Sequence, residues 1–317
     1  MGAIPARTNL MLGGILLAAN AFVLFVLPPI ALPMWMKFAA VAIVVLTTPA
    51  HWALVHDAIH SHALPGRTLN ERFGRVKAIA FGVPFRAARF AHLRHHRYNR
   101  APTAREEVFD PNTQSRIGAY AFHYLRISIG LYAGELALCA LCFLPRSVLR
   151  RHLQSLCPPT DGISRASADA AIDDALRPAS LRQIRADALC VLLMLGVAAF
   201  LSGSAWPLLA ALLVGRGLII SHLDHAPHHG TPIDQRDYAF NMRAPRWLQL
   251  ALLNFNFHRT HHENPQLPWP ALRDRGDFRA DDISFVRAVF RQWRGPSPST
   301  IHASPRGAEY ALVTRRM

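Results

Sequence analysis

Cysteine is scarce. The chain has four, Cys139, Cys142, Cys157 and Cys190, which excludes a disulfide framework. Cys139 and Cys142 form a C-x-x-C, but it stands in an apolar stretch with no partner pair, so buried thiols are expected rather than a zinc or redox motif. Acidic residues are few, 20 against 35 basic ones, for a formal net charge of +15. Lysine is rarer still, and nearly all the positive charge is arginine. In a water-soluble chain that excess suggests nucleic acid. Here the arginines stand mostly outside the apolar runs, so membrane topology accounts for them at least as well. No small-residue cleavage pattern follows the first apolar run, which argues against a removed signal peptide. Gly, Pro and Ser gather only near 157–180 and after 294, so linkers are few.

What the sequence has in plenty is hydrocarbon, 51% of 317 residues. Asn9 to Leu27 is uncharged over about 19 residues, the length a bilayer core requires. Ala31 to Ala50 is a second run, whose helix continues into His56. Ala188 to Trp206 and Pro207 to Ile220 are a third and a fourth. Spans are thus predicted at 9–27, 31–55, 188–206 and 207–224. The turns at 28–33 and 202–207 lack Lys and Arg, while 61–185 is rich in arginine, so the turns face outward and the middle faces the cytoplasm. Arg216 interrupts the fourth run and must face a cavity, a partner or a polar lipid group. The 117–144 stretch carries His123, Arg126 and Glu135 and reads as one or two interfacial helices, with a fifth span as the alternative. Residues 157–180 read as a surface linker, Trp247 to Phe257 as a helix too short to span, and 296–317 as a loose basic tail. The fold class expected is an all-α membrane protein, with residues 1–295 forming one domain of four transmembrane helices under a cytosolic helical cap.

The histidines decide the chemistry. HLRHH and HRTHH place His92, His95, His96 and His258, His261, His262 at i, i+3 and i+4, one face of a helical turn. HDAIH adds His56 and His60, and SHLDHAPHHG adds His222, His225, His228 and His229. The charge-derived topology gathers these clusters on one side of the membrane. Nine candidates result: His56, His60, His92, His95, His96, His225, His258, His261 and His262. A single zinc site needs three or four ligands, so nine suit two ions. HDAIH is not the zinc-protease H-E-x-x-H, because Asp57 replaces the glutamate base. Asp57 is expected instead to accept a proton from a ligand histidine and fix its tautomer. Asn99, Asp224 and Asn264 are further supporting candidates. No residue beyond the metal ligands is expected to be catalytic. His225 is preferred within its cluster because it follows the fourth helix directly, whereas His228 and His229 lie beyond Pro227.

HDAIH, HLRHH and HRTHH together resemble the three histidine boxes of the integral-membrane fatty acid desaturase superfamily. The likeness covers roughly 30–275, including box order and the closing Asn264, Pro265, Pro268 and Trp269. It implies four transmembrane helices, two non-haem irons held by the boxes, and a further histidine after the last span, which His225 matches in LDH. It also implies dioxygen as co-substrate. The sequence departs from the family in places. Asn99 stands one position early after the second box, and the third box opens with histidine rather than the glutamine of front-end desaturases. No HPGG haem domain is fused, so a separate ferredoxin-like electron donor is expected.

The leading expectation is an O2-dependent desaturase acting on a fatty acyl chain, in a bacterial inner membrane, with the metal site and both termini cytoplasmic. Carotenoid ketolases and hydroxylases share H-D-A-x-H, so a lipid or carotenoid oxygenase is the alternative. A metal transporter is disfavoured, because transporters usually carry ionisable residues within their spans.

Overall fold

The computed structural model describes residues 2–100, 107–157, 164–232 and 238–298. Helix α1 (Ala6–Ala21) runs on through a π turn to Val26. After the proline turn come α2 (Met34–Leu46) and α3 (Thr48–Ile59), which continue almost end to end. Helices α4 (Arg67–Phe81) and α5 (Phe85–Tyr98) are separated by Gly82, which adopts φ +107°. A strand β1 (Val108–Phe109) precedes α6 (Arg116–Leu125), a π turn and α7 (Leu131–Leu141). Next are α8 (Arg146–Leu156), α9 (Arg165–Ala175), α10 (Pro178–Ser202) and α11 (Trp206–His225). Four short helices close the described chain: α12 (Arg246–Ala251), α13 (His258–Glu263), α14 (Trp269–Arg275) and α15 (Phe285–Arg291). Strand β2 (Ser297–Pro298) pairs in parallel with β1. The all-α expectation is met.

Among the described residues, four helical rods are long and apolar enough to cross a membrane: Ala6–Val26, Met34–Ile59, Arg116–Leu141 and Pro178–His225. The last is a hairpin, since α10 and α11 meet at a 3-10 turn, Gly203–Ala205, where Gly203 takes φ +46°. The predicted spans therefore coincide with α1, α2–α3, α10 and α11, though α10 begins ten residues ahead of its apolar run. Polarity along α1 is inverted relative to a helix in water. Its buried residues are Asn9, Gly13, Leu16 and Asn20, while Leu10, Met11 and Ile15 are more than half exposed. In hydrocarbon that is the favourable arrangement, because small and polar groups gain from packing and lipid accepts the rest.

Two buried cations in the bundle, Arg216 and Lys37, find partners there, as a medium without water favours. Arg216 of α11 donates to the carbonyls of Ala80 and Phe81 and to Oδ1 of Asn20, and its guanidinium lies over the Phe81 ring. The expectation that it needs a partner is thus met by α1 and the end of α4. Lys37 donates to the Pro28 carbonyl at 2.6 Å and ties down the α1–α2 turn.

In the 117–144 stretch one rod, Arg116–Leu141, stands instead of two separate helices. Its length and composition qualify it as a span, but its contacts lay it across one end of the bundle. His123, near its start, packs against His225 at the C-terminal end of α11. Beyond its finish, the Cys142 carbonyl accepts from Arg185 in the first turns of α10. The end of α11 and the start of α10 lie at the same end of their hairpin, so both ends of the rod do too. The thiols of Cys139 and Cys142 are buried and bond only to backbone carbonyls, as expected.

The predicted linker at 157–180 is largely helical. Residues 158–163 lie outside the described chain, but α9 packs on α8 through Leu149, Cys157, Ile172 and Leu176. Arg150–Asp173 and Gln154–Asp169 bonds reinforce that pair. Small residues read as loop, yet alanine is the best helix former, and Ser164 caps α9 by accepting from Ser167 N–H. Of the predicted tail, 299–317 lies outside the described residues, and 297–298 form β2.

Candidate metal centre

The local devices that aim the histidines can be traced residue by residue. At the end of α3, Asn70 of α4 accepts from Ala63 N–H and Leu64 N–H and donates to the Ala58 carbonyl. That clamp fixes the last turn of α3, which carries His56 and His60. Gly74 lets α4 approach closely, since a Cβ there would meet Ala58 and Phe85 at under 3 Å. Helix α5 presents His92 and His96, one turn apart, and His95 beside them. The short α13 presents His258, His261 and His262. At six residues it cannot hold itself, and a buried polar frame holds it. Arg259, fully buried, pairs with Asp282 at 2.7 Å and Asp277 at 3.1 Å. Asn241 exchanges bonds with Thr260 and takes Asp282 through its own N–H. The preceding turn needs Leu253 and Asn254 at positive φ, +47° and +57°.

The imidazoles converge into two adjoining groups. The first is His56, His60, His92, His96 and His261, and the second is His95, His228, His258 and His262. In the first, Nε2–Nε2 separations are 3.0 Å for His56–His261, 2.8 Å for His261–His96, 2.9 Å for His96–His92 and 2.9 Å for His92–His60. In the second they are 2.9 Å for His228–His258, 3.1 Å for His258–His262 and 3.3 Å for His262–His95. The two H-x-x-H-H boxes share themselves out in mirror fashion. In α5 the i and i+4 histidines serve the first group and the middle one the second. In α13 the i and i+4 histidines serve the second group and the middle one the first.

Eight of the nine candidates expected from the sequence therefore come together. His225 does not join them; its place in the second group is taken by His228. His225 lies instead with His123 and His229 in a separate buried trio. The physical reason is the turn after α11. The N–H groups of His228 and His229 both donate to the His225 carbonyl, so the chain coils on past Pro227 and carries His228 inward. Proline lacks only a donor that the first residues of such a turn do not use. The i, i+3 relation of His225 to His228 was the signal available in the sequence.

The supporting candidates play structural parts. Asp57 does not hold a histidine. Its Oδ1 is 3.9 Å from His56 Nδ1, too long for a hydrogen bond, and Oδ2 accepts from Trp269 N–H at 3.3 Å. Adjacent helical residues point away from each other, so Asp57 ties α3 to the segment after the third box. Asn264 donates to the Thr260 carbonyl and ends α13. Asn99 donates to the Tyr238 carbonyl, and Asp224 lies 3.6 Å from Arg126.

The two groups fit metal ions. Burial holds His92, His228, His258, His261 and His262 well below the usual imidazole range, and neighbouring histidines add to the effect. Burial likewise pushes His60 down to about 2, His96 to about 3 and His95 to about 4. All are therefore neutral at physiological pH, with a ring lone pair to give. A neutral imidazole has one N–H and one lone pair, so each Nε2 can donate or accept but not both. His261, His96 and His92 each face two other Nε2 atoms, a crowding that a central cation relieves.

Beside the groups is a small apolar cavity of about 30 Å³, lined by Trp52, Ile220, Leu223, Met242 and Phe255 among others. The Phe255 ring lies 4.6 Å from that of His56 and 5.0 Å from that of His258. It thus forms the wall between the cavity and both groups.

A family model for fatty acid desaturases matches residues 33–277. The chain belongs to the fatty acid desaturase family. The match begins in the rod that bears His56 and ends just beyond α14, so it encloses every member of both histidine groups. No match is found among curated proteins or among solved structures. As a desaturase-family protein with four apolar rods, the chain is an integral membrane oxidoreductase, and its histidine groups are compatible with iron.

Proposed function

We propose that the chain is a non-haem di-iron oxidase that desaturates a fatty acyl chain with dioxygen and electrons from a separate ferredoxin-like protein. The observation that carries this reading is the division of nine imidazoles, without a carboxylate, into a five-membered and a four-membered group across which both triplets are shared. His56, His60, His92, His96 and His261 would hold one iron, and His95, His228, His258 and His262 the other. Such a pair supplies one-electron and dioxygen chemistry when bound. The protein's own part is positioning and exclusion of water. The buried Arg259–Asp282–Asn241 frame fixes α13, and the Asn70 clamp fixes α3. Phe255 and the apolar cavity place hydrocarbon, not water, against the imidazoles. Helix α5 carries Arg86, Arg89, Arg94 and Arg97 on the element that bears three of the histidines, which suits an acidic electron donor. The groups lie toward the arginine-rich side, which the positive-inside rule makes cytoplasmic.

The decisive experiment is expression in a host of defined lipid composition, followed by mass spectrometry of acyl chains and carotenoids. Loss of two hydrogens from an acyl chain is the expected result. Gain of oxygen on a carotenoid or lipid would replace desaturation with hydroxylation or ketolation. No change in either pool, with an electron donor supplied, would remove the oxidase reading.

A further inference from the structure

Among the described residues, four buried histidines lie outside the two groups, and three of them, all but His51, stand together. His123 comes from α6, His225 from the last residue of α11 and His229 from the turn that follows. Their ring centroids form a nearly equilateral triangle, 5.7 Å for His123–His225, 5.6 Å for His123–His229 and 5.5 Å for His225–His229. One donor nitrogen from each lies within 4.8 Å of the others. All three are at least 95% buried, and Nε2 of His225 and Nδ1 of His229 have no hydrogen-bond partner among the described residues. Leaving two such nitrogens dry and unpaired is costly. His123 Nε2 bonds the Gln292 carbonyl at 2.9 Å. An acceptor there requires the proton on Nε2 and leaves Nδ1 with a lone pair. Fixing a ligand's tautomer through a backbone carbonyl is a common feature of metal-binding histidines.

We propose that His123, His225 and His229 form a third metal site that takes a zinc-class divalent ion. Three neutral imidazoles and one open position suit such an ion. The ion would join three segments at one point: the α6 rod, the end of α11 and, through Gln292, the segment after α15. Gln292 is itself fully buried and donates to the His222 carbonyl. The site's purpose is structural. His225 and His229 bracket the turn after α11, whose direction the His228 and His229 N–H bonds to the His225 carbonyl already set, so the ion would pin that turn to the α6 rod. The guanidinium groups of Arg100, Arg126, Arg291 and Arg294 face His225 or His229, and Glu107 faces His123. The excess of positive charge makes this ion weaker-bound than those of the larger groups.

The test is metal counting on full-length, iron-replete protein in detergent, equilibrated with zinc and washed. Wild type is expected to keep about one zinc per chain. His123→Gln and His229→Gln should each lower zinc at least about tenfold, the scale on which metal sites respond to lost partners, with iron unchanged. His261→Ala should do the reverse, lowering iron and keeping zinc, so failure at one site is separable from failure at the other. Zinc absent from wild type, or retained by either variant, overturns the proposal. Should neither variant fold, zinc-edge X-ray absorption of wild type decides: imidazole nitrogens at about 2.0–2.1 Å support it, and a shell of oxygens alone overturns it.

Discussion

The imidazoles of His96 and His262 stack 4.3 Å apart, centroid to centroid, although one belongs to the five-histidine group and the other to the four-histidine group. One comes from α5 and the other from α13, 166 positions later in the chain. The contact means that the two groups share a wall of imidazole rings. It also makes the assignment of the ninth histidine testable. His228→Gln should cut bound iron to about one per chain and abolish product, because a four-donor group reduced to three cannot hold its ion as before. His225→Gln should retain both irons. Iron analysis and product mass spectrometry on the two purified variants check this. An iron-replete, active His228→Gln protein would return the ligand role to His225.

Arg216 makes a prediction about stability. Its guanidinium satisfies two carbonyls at the end of α4 and Asn20 of α1, all within the apolar bundle. Arg216→Leu removes the charge but strands Oδ1 of Asn20 and the Ala80 carbonyl, while the Phe81 carbonyl keeps its Tyr132 donor, at about 1–3 kcal/mol for each buried group left unpaired. The variant should denature at a clearly lower temperature in detergent. Replacing both Arg216 and Asn20 by leucine should recover part of that loss. Thermal unfolding followed by circular dichroism measures both.

The sequence disclosed the boxes and the spans because each depends on short-range spacing. His92, His95 and His96 share a helical face wherever that helix goes, and Asn9 to Leu27 is apolar in any fold. It concealed what depends on how the chain bends between elements. His228 looked shielded behind Pro227, and only the turn onto the His225 carbonyl shows that it points inward. Asp57 suggested a ligand's partner because it adjoins His56, but helix geometry sends it to Trp269, 212 residues away. The Arg259–Asp282–Asn241 frame had no signal, because Arg259's partners Asp282 and Asn241 lie in irregular segments with no period to read.

Acid should weaken the metal-stripped protein. An exposed histidine titrates near 6.5, whereas burial pushes His60 to about 2, His96 and His229 to about 3 and His95 to about 4. Below 6.5 the unfolded chain therefore takes up protons that the folded chain refuses, so stability rises with pH there. It is fully present above about pH 7 and is lost progressively as pH falls from there toward about 2. Denaturation midpoints of the metal-free protein across this range should follow that slope. A flat profile would mean that the histidines are not buried as neutral rings. Metal affinity should fall in the same direction, since protons and metal compete for the same lone pairs.

Phe255 tests where the substrate lies. Its ring walls the apolar cavity and touches His56 and His258 without contributing a donor. Phe255→Trp should crowd the cavity and leave both irons in place, so turnover should drop while metal content does not. Adding bulk to a hydrophobic pocket shifts selectivity by about 1–3 kcal/mol, or roughly 10–200-fold. Phe255→Ala should open the cavity toward the imidazoles and loosen the position of the acyl chain, giving a broader set of double-bond positions. Product analysis for both variants, with iron measured on the same samples, separates this from a folding defect. Unchanged rate and regiochemistry in both would place the acyl chain on another path to the metal centre.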